Sequence, residues 1–393
     1  MADFFERSLI VHEQLRGKIG IYNKMPVASR DDLSLAYTPG VARPCEVIAE
    51  DTSKARDLTI KRNTVAVVSD GSAVLGLGNI GAHAAIPVME GKALLFREFA
   101  NIDAFPICVD TQDVDEIVIT VRRIAPVFGG INLEDIGAPR CFEVENRLQD
   151  LGIPVFHDDQ HGTAIVLVAG LINAAKVVGR EITDLRVVIN GAGAAGSAIA
   201  KLLRCVGHDP SLCMPVKDVV ICDSRGAIHK DRDNLNNYKR ELLNYTNREN
   251  REGSLQDVLQ DADVFIGVSK GDILSGDDIR RMADNPIILA MANPIPEIMP
   301  DVAKEAGAAV VGTGRSDFPN QVNNVLVFPG IFRGALDAGA KRIDESMKIA
   351  AAHALAATVP EPKTDFILPD PLDRSVAPQI AQAVANTAKE FGV

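Results

Sequence analysis

Short apolar runs alternate with helical patterns through the second half of the chain. The runs are rich in β-branched residues and occupy positions 185–190, 219–223, 264–268, 287–291 and 309–312. Strands that alternate with helices are typical of a parallel sheet covered by helices on both faces. The pattern therefore predicts a doubly wound α/β domain over residues 162–330.

The first half of the chain is less regular. It begins with a helical pattern, continues through a Pro-containing loop at residues 38–40, and has strand-like runs at 65–68 and 105–109. These features predict a second α/β domain over residues 1–161.

The chain after Phe332 is rich in Ala and favours helix. Helices are predicted over residues 341–359 and from about Pro378 onward. This tail, residues 331–393, has too small an apolar content to form its own core. We therefore expect it to pack back on the N-terminal domain and to complete it.

Composition narrows the classes of function. The 393 residues include 41 basic and 53 acidic side chains, a net charge of −12. Such a charge repels phosphate backbones and anionic lipid surfaces, so neither nucleic acid nor membrane is an expected partner. The longest apolar stretch, 164–175, is too short to cross a bilayer, and the N-terminus lacks the apolar core of a secretory signal, so a cytoplasmic protein is expected. The six cysteines show no metal-binding spacing, and none is assigned a redox or metal role.

Residues 191–196 read G-A-G-A-A-G between a predicted strand and a predicted helix. In this context the glycines allow a tight turn and a close approach of the backbone to the pyrophosphate of a dinucleotide. The domain is therefore predicted to be Rossmann-type. Its expected cofactor contacts are Gly191, Ala192, Gly193, Ala194, Ala195 and Gly196.

The next strand ends at Asp223, where a carboxylate would accept hydrogen bonds from the ribose of NAD and repel a 2′-phosphate. Ser224 and Arg225 follow directly, so NAD is the expected cofactor and NADP stays an alternative. A second G-x-G-x-x-G at residues 76–81 has Pro87 and Gly91 inside the helix that would follow it. We therefore expect that second motif to be a structural or substrate-side loop.

Two acidic pairs stand at the ends of predicted strands. They are Glu134 with Asp135, and Asp158 with Asp159. Neighbouring carboxylates flanked by apolar residues are costly unless they are solvated or neutralised by a cation. A hard divalent ion with oxygen ligands, Mg²⁺ or Mn²⁺, would neutralise them.

The second pair lies in H-D-D-Q-H, which shares its histidine spacing with zinc hydrolases. The second position is Asp, however, one methylene shorter than the usual glutamate base. Pro154 and Gly162 on either side predict a strand-to-helix loop and not a helix interior. Zinc hydrolysis is therefore disfavoured.

Seven segments are informative together. They are Y-T-P-G-V-A from residue 37, V-V-S-D-G-S-A-V-L-G-L-G-N-I-G from 67, E-G-K-A-L-L-F from 90, N-L-E-D from 132, F-H-D-D-Q-H-G-T-A from 156, A-N-P from 292 and N-N-V-L-V-F-P-G-I-F from 323. As a set they resemble the short prokaryotic malic enzymes, over about residues 20–335. The resemblance implies metal-dependent oxidative decarboxylation of (S)-malate to pyruvate and CO₂ with NAD, and decarboxylation of oxaloacetate as a side activity.

The resemblance also implies roles for single residues. Tyr37 and Lys92 would be the acid/base pair. Asn293 would contact the nicotinamide side of the cofactor. Asn324, with Asn323 next to it, would donate its amide hydrogens to a substrate carboxylate.

The same resemblance implies that Glu134, Asp135 and Asp159 bind the metal, with Asp158 beside it as a further catalytic residue. One departure concerns Ala73, where longer eukaryotic relatives carry an Arg that clamps malate. Another donor must therefore hold that carboxylate in this chain.

Two other classes of function stay open from the residues alone. A metal-independent amino-acid dehydrogenase would also pair a lysine-bearing substrate domain with a nicotinamide-binding domain, but it would leave the acidic pairs unused. A non-catalytic nucleotide sensor would need the glycines and not Tyr37 or Lys92. The irregular N-terminal residues beside a self-sufficient α/β domain also suggest a homodimer or a higher homo-oligomer.

Overall fold

The computed structural model describes residues 2–74, 77–208 and 213–393 of the chain. Its described strands form two sheets. The first sheet has the order β2-β1-β3-β4, and the second has the order β10-β9-β8-β5-β6-β7. The strands are β1 (Thr64–Ser69), β2 (Asp103–Cys108), β3 (Gly130–Leu133), β4 (Val155–His157), β5 (Arg186–Asn190), β6 (Asp218–Asp223), β7 (Gly226–Ala227), β8 (Val264–Gly267), β9 (Ile287–Ala290) and β10 (Val310–Thr313).

Helices connect these strands and cover the sheets. They are α1 (Ala2–Leu15), α2 (Arg30–Ala36), α3 (Ala42–Glu50), α4 (Ala55–Leu58), α5 (Gly81–Ala100), α6 (Val114–Ile124), α7 (Arg140–Leu148), α8 (Asp158–Val177), α9 (Ala194–Leu203), α10 (Asn237–Leu242), α11 (Leu255–Val258), α12 (Gly276–Arg280), α13 (Pro300–Glu305), α14 (Phe328–Ala338), α15 (Glu345–Ala357) and α16 (Val376–Phe391).

The α/β fold class predicted from the sequence is confirmed. Each of the five apolar runs in the second half forms a strand, and these strands are parallel to one another. The two-residue strand β7 was not expected, and it runs antiparallel to β6 at the edge of the sheet. All strands of the first sheet are parallel.

Pro87 and Gly91, which counted against a dinucleotide-binding helix after residue 81, do not prevent a helix there. Helix α5 runs through both positions. A proline inside a helix removes one backbone hydrogen bond, but one face of α5 is buried in the core, including Met89 and Phe96. Burial of that face offsets the lost bond. Of the motif itself, Gly76 lies outside the described residues.

The expected loop at H-D-D-Q-H was wrong. Strand β4 ends at His157 and helix α8 begins at Asp158, with no residue between them. The two aspartates therefore form the first turn of a helix. The domain boundary expected between residues 161 and 162 falls inside that helix.

The C-terminal helices pack on the first sheet's helices and on α8. Helices α14 and α16 contact α5, and α15 contacts α8. Phe332 of α14 lies fully buried, with its ring 5.3 Å from that of Phe96 and 5.8 Å from that of Phe156. The tail therefore shares a core with both halves of the chain.

Two of the six cysteines form a disulfide, Cys205–Cys213, a pairing that the sequence did not predict. Their Cα atoms lie 5.8 Å apart. The chain turns back after α9, where Val216 donates its backbone N–H to the carbonyl of Leu203. That reversal brings the two thiols together, and their spacing in the sequence carries no motif that would announce it.

No helix in the described part of the chain is both long and apolar enough to cross a membrane.

Candidate active site

The carboxyl ends of β3 and β4 place the two acidic pairs side by side. The two strands are parallel neighbours, and Leu133 is paired with His157. Because each acidic pair directly follows its strand, all four carboxylates come to the same edge of the sheet. Topology therefore brings together residues that are more than 20 positions apart in the sequence.

Lys92 lies at the centre of this group. It projects from α5, and its Nζ is 2.5 Å from Oδ2 of Asp158 and 2.8 Å from Oε1 of Glu134. The ammonium group also stands 4.1 Å from the centre of the Phe328 ring. The side chain is 8% exposed. The lysine is thus a buried cation held by two carboxylates and an aromatic face.

Asp158 is completely buried. Its Oδ2 also accepts a hydrogen bond of 2.6 Å from Nδ2 of Asn324, whereas its Oδ1 has no hydrogen-bond partner. A Cβ atom at position 162 would lie 1.8 Å from that Oδ1, so only glycine fits there. The glycine in H-D-D-Q-H-G therefore makes room for a buried carboxylate oxygen that is free to bind another group.

Hydrogen bonds also hold the other members of the cluster. Oδ2 of Asp159 accepts the backbone N–H of Asp135 at 2.8 Å, and Oε2 of Glu134 accepts Nδ2 of Asn132 at 2.9 Å. The first of these contacts joins the two acidic pairs.

Burial raises the affinity of the aspartates for protons. It raises the pKa of Asp158 to about 7 and that of Asp159 to about 6, although Lys92 opposes both shifts. Burial lowers the pKa of Lys92, but the charges of Asp158 and Glu134 outweigh this effect and raise the lysine pKa. The ammonium and the carboxylates thus stabilise each other.

The residues present fit a divalent metal ion. Four carboxylates and one ammonium carry an excess of negative charge, the donors are hard oxygens, and Oδ1 of Asp158 is buried without a partner. The side-chain oxygens of Glu134, Asp135 and Asp159 do not all lie within 4.8 Å of one another. Elsewhere in the described chain, the ligand atoms of His229, Asp231 and Glu252 do lie within that distance.

The two histidines of H-D-D-Q-H are not arranged as a zinc pair. Burial lowers the pKa of His157 to about 4, and neither of its ring nitrogens has a hydrogen-bond partner. Nε2 of His161 is instead bonded to Glu145, 2.9 Å from Oε1. Glu145 was not foreseen from the sequence, because no motif links it to a segment 12 residues away.

Tyr37 lies on the surface of the protein. It directly follows α2, and it is 68% exposed. The hydrogen-bond partners of Lys92 are Asp158 and Glu134, and Tyr37 is not among them.

The predicted glycine turn connects β5 to α9. Gly191 has a φ of +128°, and a Cβ at Gly196 would lie 1.8 Å from the carbonyl oxygen of Gly191. Side chains are therefore excluded at both positions. A cavity of about 600 Å³ adjoins this turn, and it is also lined by Asp223 and Lys239.

Asp223 ends β6 beside this cavity, and two cations already bind it. Its carboxylate accepts hydrogen bonds from both terminal nitrogens of Arg232 at 3.1 and 3.0 Å, and from Nζ of Lys239 at 2.6 Å. Burial would raise its pKa, but these contacts lower it to about 2. Sequence reasoning missed both cations, because they come from the long connection after β7.

The three asparagines occupy different settings. Asn324 contacts Asp158, as described above, and so belongs to the cluster. Asn323 instead uses its side chain to accept the backbone N–H of Val325 at 3.0 Å. Asn293 is exposed in the loop after β9, at the carboxyl edge of the second sheet.

Two family models match the chain. The model described as the malic enzyme N-terminal domain matches residues 16–149, and the model described as the malic enzyme NAD binding domain matches residues 160–389.

Similar proteins cover nearly the whole chain. A bifunctional malic/malolactic enzyme of Bacillus subtilis is 58% identical over 99% of this chain and 94% of its own. An NAD-dependent malic enzyme of Geobacillus stearothermophilus is 56% identical over 99% of this chain and 80% of its own. The crystal structure of an NAD-dependent malic enzyme from Thermotoga maritima has a TM-score of 0.91 and 48% identity, and it covers 96% of this chain and 98% of its own. Further similar proteins are named NADP-dependent malic enzymes.

We predict that Asp158 makes the stability of the protein fall as the pH rises. Its pKa of about 7 in the folded state exceeds the ordinary value of 3.8, so the folded state binds this proton more tightly between these limits. The free energy of unfolding therefore decreases from about pH 4 to about pH 7. Melting temperatures in EDTA should fall more between about pH 5 and about pH 7.5 in the wild type than in Asp158→Asn. An equal fall of the melting temperature in both proteins would contradict this assignment. The control is Asp277→Asn, which changes an exposed carboxylate.

Proposed function

The chain belongs to the malic enzyme family, and we propose that its buried lysine–carboxylate cluster carries the reaction of that family. The protein is an NAD(P)-dependent oxidoreductase that oxidises and decarboxylates malate to pyruvate and CO₂. The observation that carries the proposal is Lys92, which is buried between Asp158 and Glu134 with Asn324 alongside. Decarboxylation of added oxaloacetate by the same cluster is the proposed side activity.

Glu134, Asp135 and Asp159 are the proposed ligands of Mg²⁺ or Mn²⁺. When bound, the ion would polarise the C2 oxygen of malate and stabilise the negative charge that remains after CO₂ leaves. The support is the donor set itself, in which Glu134 and Asp135 are buried and Asp159 is half-buried, with too few cations to balance them.

Lys92 is the proposed base that takes the proton of the C2 hydroxyl. It must first be neutral, although Asp158, 2.5 Å from its Nζ, and Glu134 raise its pKa. A divalent ion held by the carboxylates would replace the ammonium as their counter-charge and so would lower the lysine pKa. Asn324 donates to Asp158 and is proposed to orient a carboxylate of the substrate, with Asn323 next to it.

The glycine turn and Asp223 are the proposed cofactor site. The N-terminus of α9 would face the pyrophosphate, and Asp223 would accept from a ribose hydroxyl, with Asn293 on the nicotinamide side. NAD is the proposed preference. NADP stays the alternative, because Arg232 and Lys239 already neutralise Asp223 and would attract a 2′-phosphate.

We propose that the chain divides into a substrate-binding part and a nucleotide-binding part. Residues 1–161, completed by 331–393, would bind substrate and metal, and residues 162–330 would bind the nucleotide. A cytoplasmic location likewise stays a prediction.

Tyr37 is the proposed acid that protonates C3 to release pyruvate. Its segment has little core in the single protomer: no residue of α2 or α3 is buried, and Ile21 and Leu35 are 90% and 71% exposed. Large exposed apolar surfaces mark sites of association. We propose that a second copy of the chain covers this segment and withdraws Tyr37 from solvent.

Removing either member of the acid/base pair should reduce turnover. We expect Tyr37→Phe and Lys92→Ala each to lower kcat by at least about 100-fold, the size of a general acid/base contribution. Binding of NADH, followed by its fluorescence, should be unchanged. Tyr22→Phe and Lys389→Ala are matched controls outside the cluster. Near-normal turnover in either test variant would remove that residue from the mechanism.

Chelation should stop pyruvate formation. With L-malate, Mn²⁺ and NAD, absorbance at 340 nm should rise as pyruvate accumulates, more slowly with NADP in place of NAD. EDTA should abolish the reaction and added Mn²⁺ or Mg²⁺ should restore it, because the enolate charge would otherwise lack a counter-charge. Activity that survives full chelation would refute the metal assignment, and oxaloacetate accumulating in place of pyruvate would indicate a plain dehydrogenase.

The protein should be a homodimer or a larger even assembly in solution. Light scattering after gel filtration should give a multiple of two chain masses, and the double variant Ile21→Asp, Leu35→Asp should shift the mass toward one chain, because charge in a buried interface is costly. A wild-type mass of one chain at micromolar concentration would contradict this proposal.

A further inference from the structure

Glu145 is a buried carboxylate that the reaction described above does not use. It projects from α7, and its oxygens accept three donors from the first turn of α8 and the residue before it. These donors are the backbone N–H of His157 at 3.1 Å, Nε2 of Gln160 at 3.2 Å, and Nε2 of His161 at 2.9 and 3.0 Å from the two oxygens. One side chain thus binds residues on both sides of Asp158 and Asp159.

Glu145 and the aspartates act on the same helical turn. Successive residues are turned by about 100° around the axis, so Gln160 is turned by roughly 160° from Asp158, whereas His161 lies only about 60° from Asp158. Glu145 therefore holds the turn of α8 that carries the two aspartates through the two residues that follow them.

The residue before α8 does not cap the helix. His157 occupies that position, and its side chain makes no capping hydrogen bond. The side chain of Asp158 is bonded to Lys92, and that of Asp159 is bonded to the backbone of Asp135. Glu145 accepts the backbone N–H of His157 from a neighbouring helix, a contact that the third helical residue makes in a capping box.

Glu145 keeps its charge in this setting. Burial alone would raise its pKa, but the charge and hydrogen bond of His161 and the charge of Lys348 lower the pKa to about 2. An ionised acceptor makes stronger hydrogen bonds than a neutral one.

We propose that Glu145 is a positioning residue that fixes the rotation of the first turn of α8, and so the places of Asp158 and Asp159 at the metal and Lys92. The inference rests on the proposed function of the cluster. Groups that orient metal ligands from behind typically change metal affinity or activity by about 10- to 100-fold when they are removed.

The test measures Mn²⁺ affinity on the full chain, by electron paramagnetic resonance of the free ion. Glu145→Ala should raise the Mn²⁺ dissociation constant by about 10- to 100-fold. Glu145→Gln should lie between this variant and the wild type, because its single amide oxygen still accepts but its NH₂ group faces donors. Glu143→Gln is the matched control, since Glu143 lies on the same helix, is exposed, and bonds Arg147 on that helix.

A second measurement separates positioning from loss of fold. In the Glu145 variants kcat should fall while KM for NAD and NADH binding stay at the wild-type values, because the glycine turn lies in the other sheet. If Glu145→Ala does not fold, Glu145→Gln decides alone. Mn²⁺ affinity and kcat equal to those of Glu143→Gln would overturn the inference.

Failure of the proposed metal site would look different. In that case the wild type itself would not bind Mn²⁺, or Asp159→Asn would bind it as tightly as the wild type. If Asp159→Asn loses Mn²⁺ while both Glu145 variants retain it, the metal site stands and the positioning role falls.

Discussion

The burial of three carboxylates and a half-buried fourth beside one lysine is the constraint on which the rest of this structure depends. Charges removed from water are costly unless each meets a partner, and removing one partner of a buried pair typically costs about 3–5 kcal/mol. Lys92 meets two of the carboxylates directly. The arrangement would be a liability in a protein that only had to fold. It is useful in one that must bind a cation and move a proton.

Much of the surrounding structure serves this constraint. Parallel pairing of β3 with β4 brings the acidic pairs to one edge, and the glycine at position 162 leaves space for Asp158. The C-terminal tail contributes Phe328, whose ring faces the ammonium of Lys92. Asn324, just before that helix, bonds Asp158. The tail is therefore part of the site's environment as well as part of the core.

The sequence predicts the elements of this fold better than their junctions. Apolar runs locate the strands of the second sheet, because buried parallel strands are continuous apolar segments. Local rules failed where tertiary packing decides: α5 passes through Pro87 because its face is buried, and Cys205 meets Cys213 because the chain reverses after α9. Glu145 could not be found from the sequence, since its three donors come from a different helix and strand.

The same distinction holds within the candidate site. The motif resemblance assigns Lys92, Glu134 and Asp158 to one site, and in the structure Lys92 contacts both carboxylates. Tyr37 is in the same motif set yet lies on an exposed segment, which we propose a second copy of the chain covers. A pattern along one chain carries no direct information on contacts between chains.

Counting the protons released on metal binding tests the central claim most directly. The raised pKa values of Asp158 and Asp159 mean that the cluster holds protons near neutral pH, and metal ligands must give up their protons when the ion binds. Calorimetric titration with Mn²⁺ near pH 6.5, in two buffers of different ionisation enthalpy, should show release of about one proton. Tight binding with no difference between the buffers would contradict a cluster in which buried carboxylates share protons until a cation replaces them.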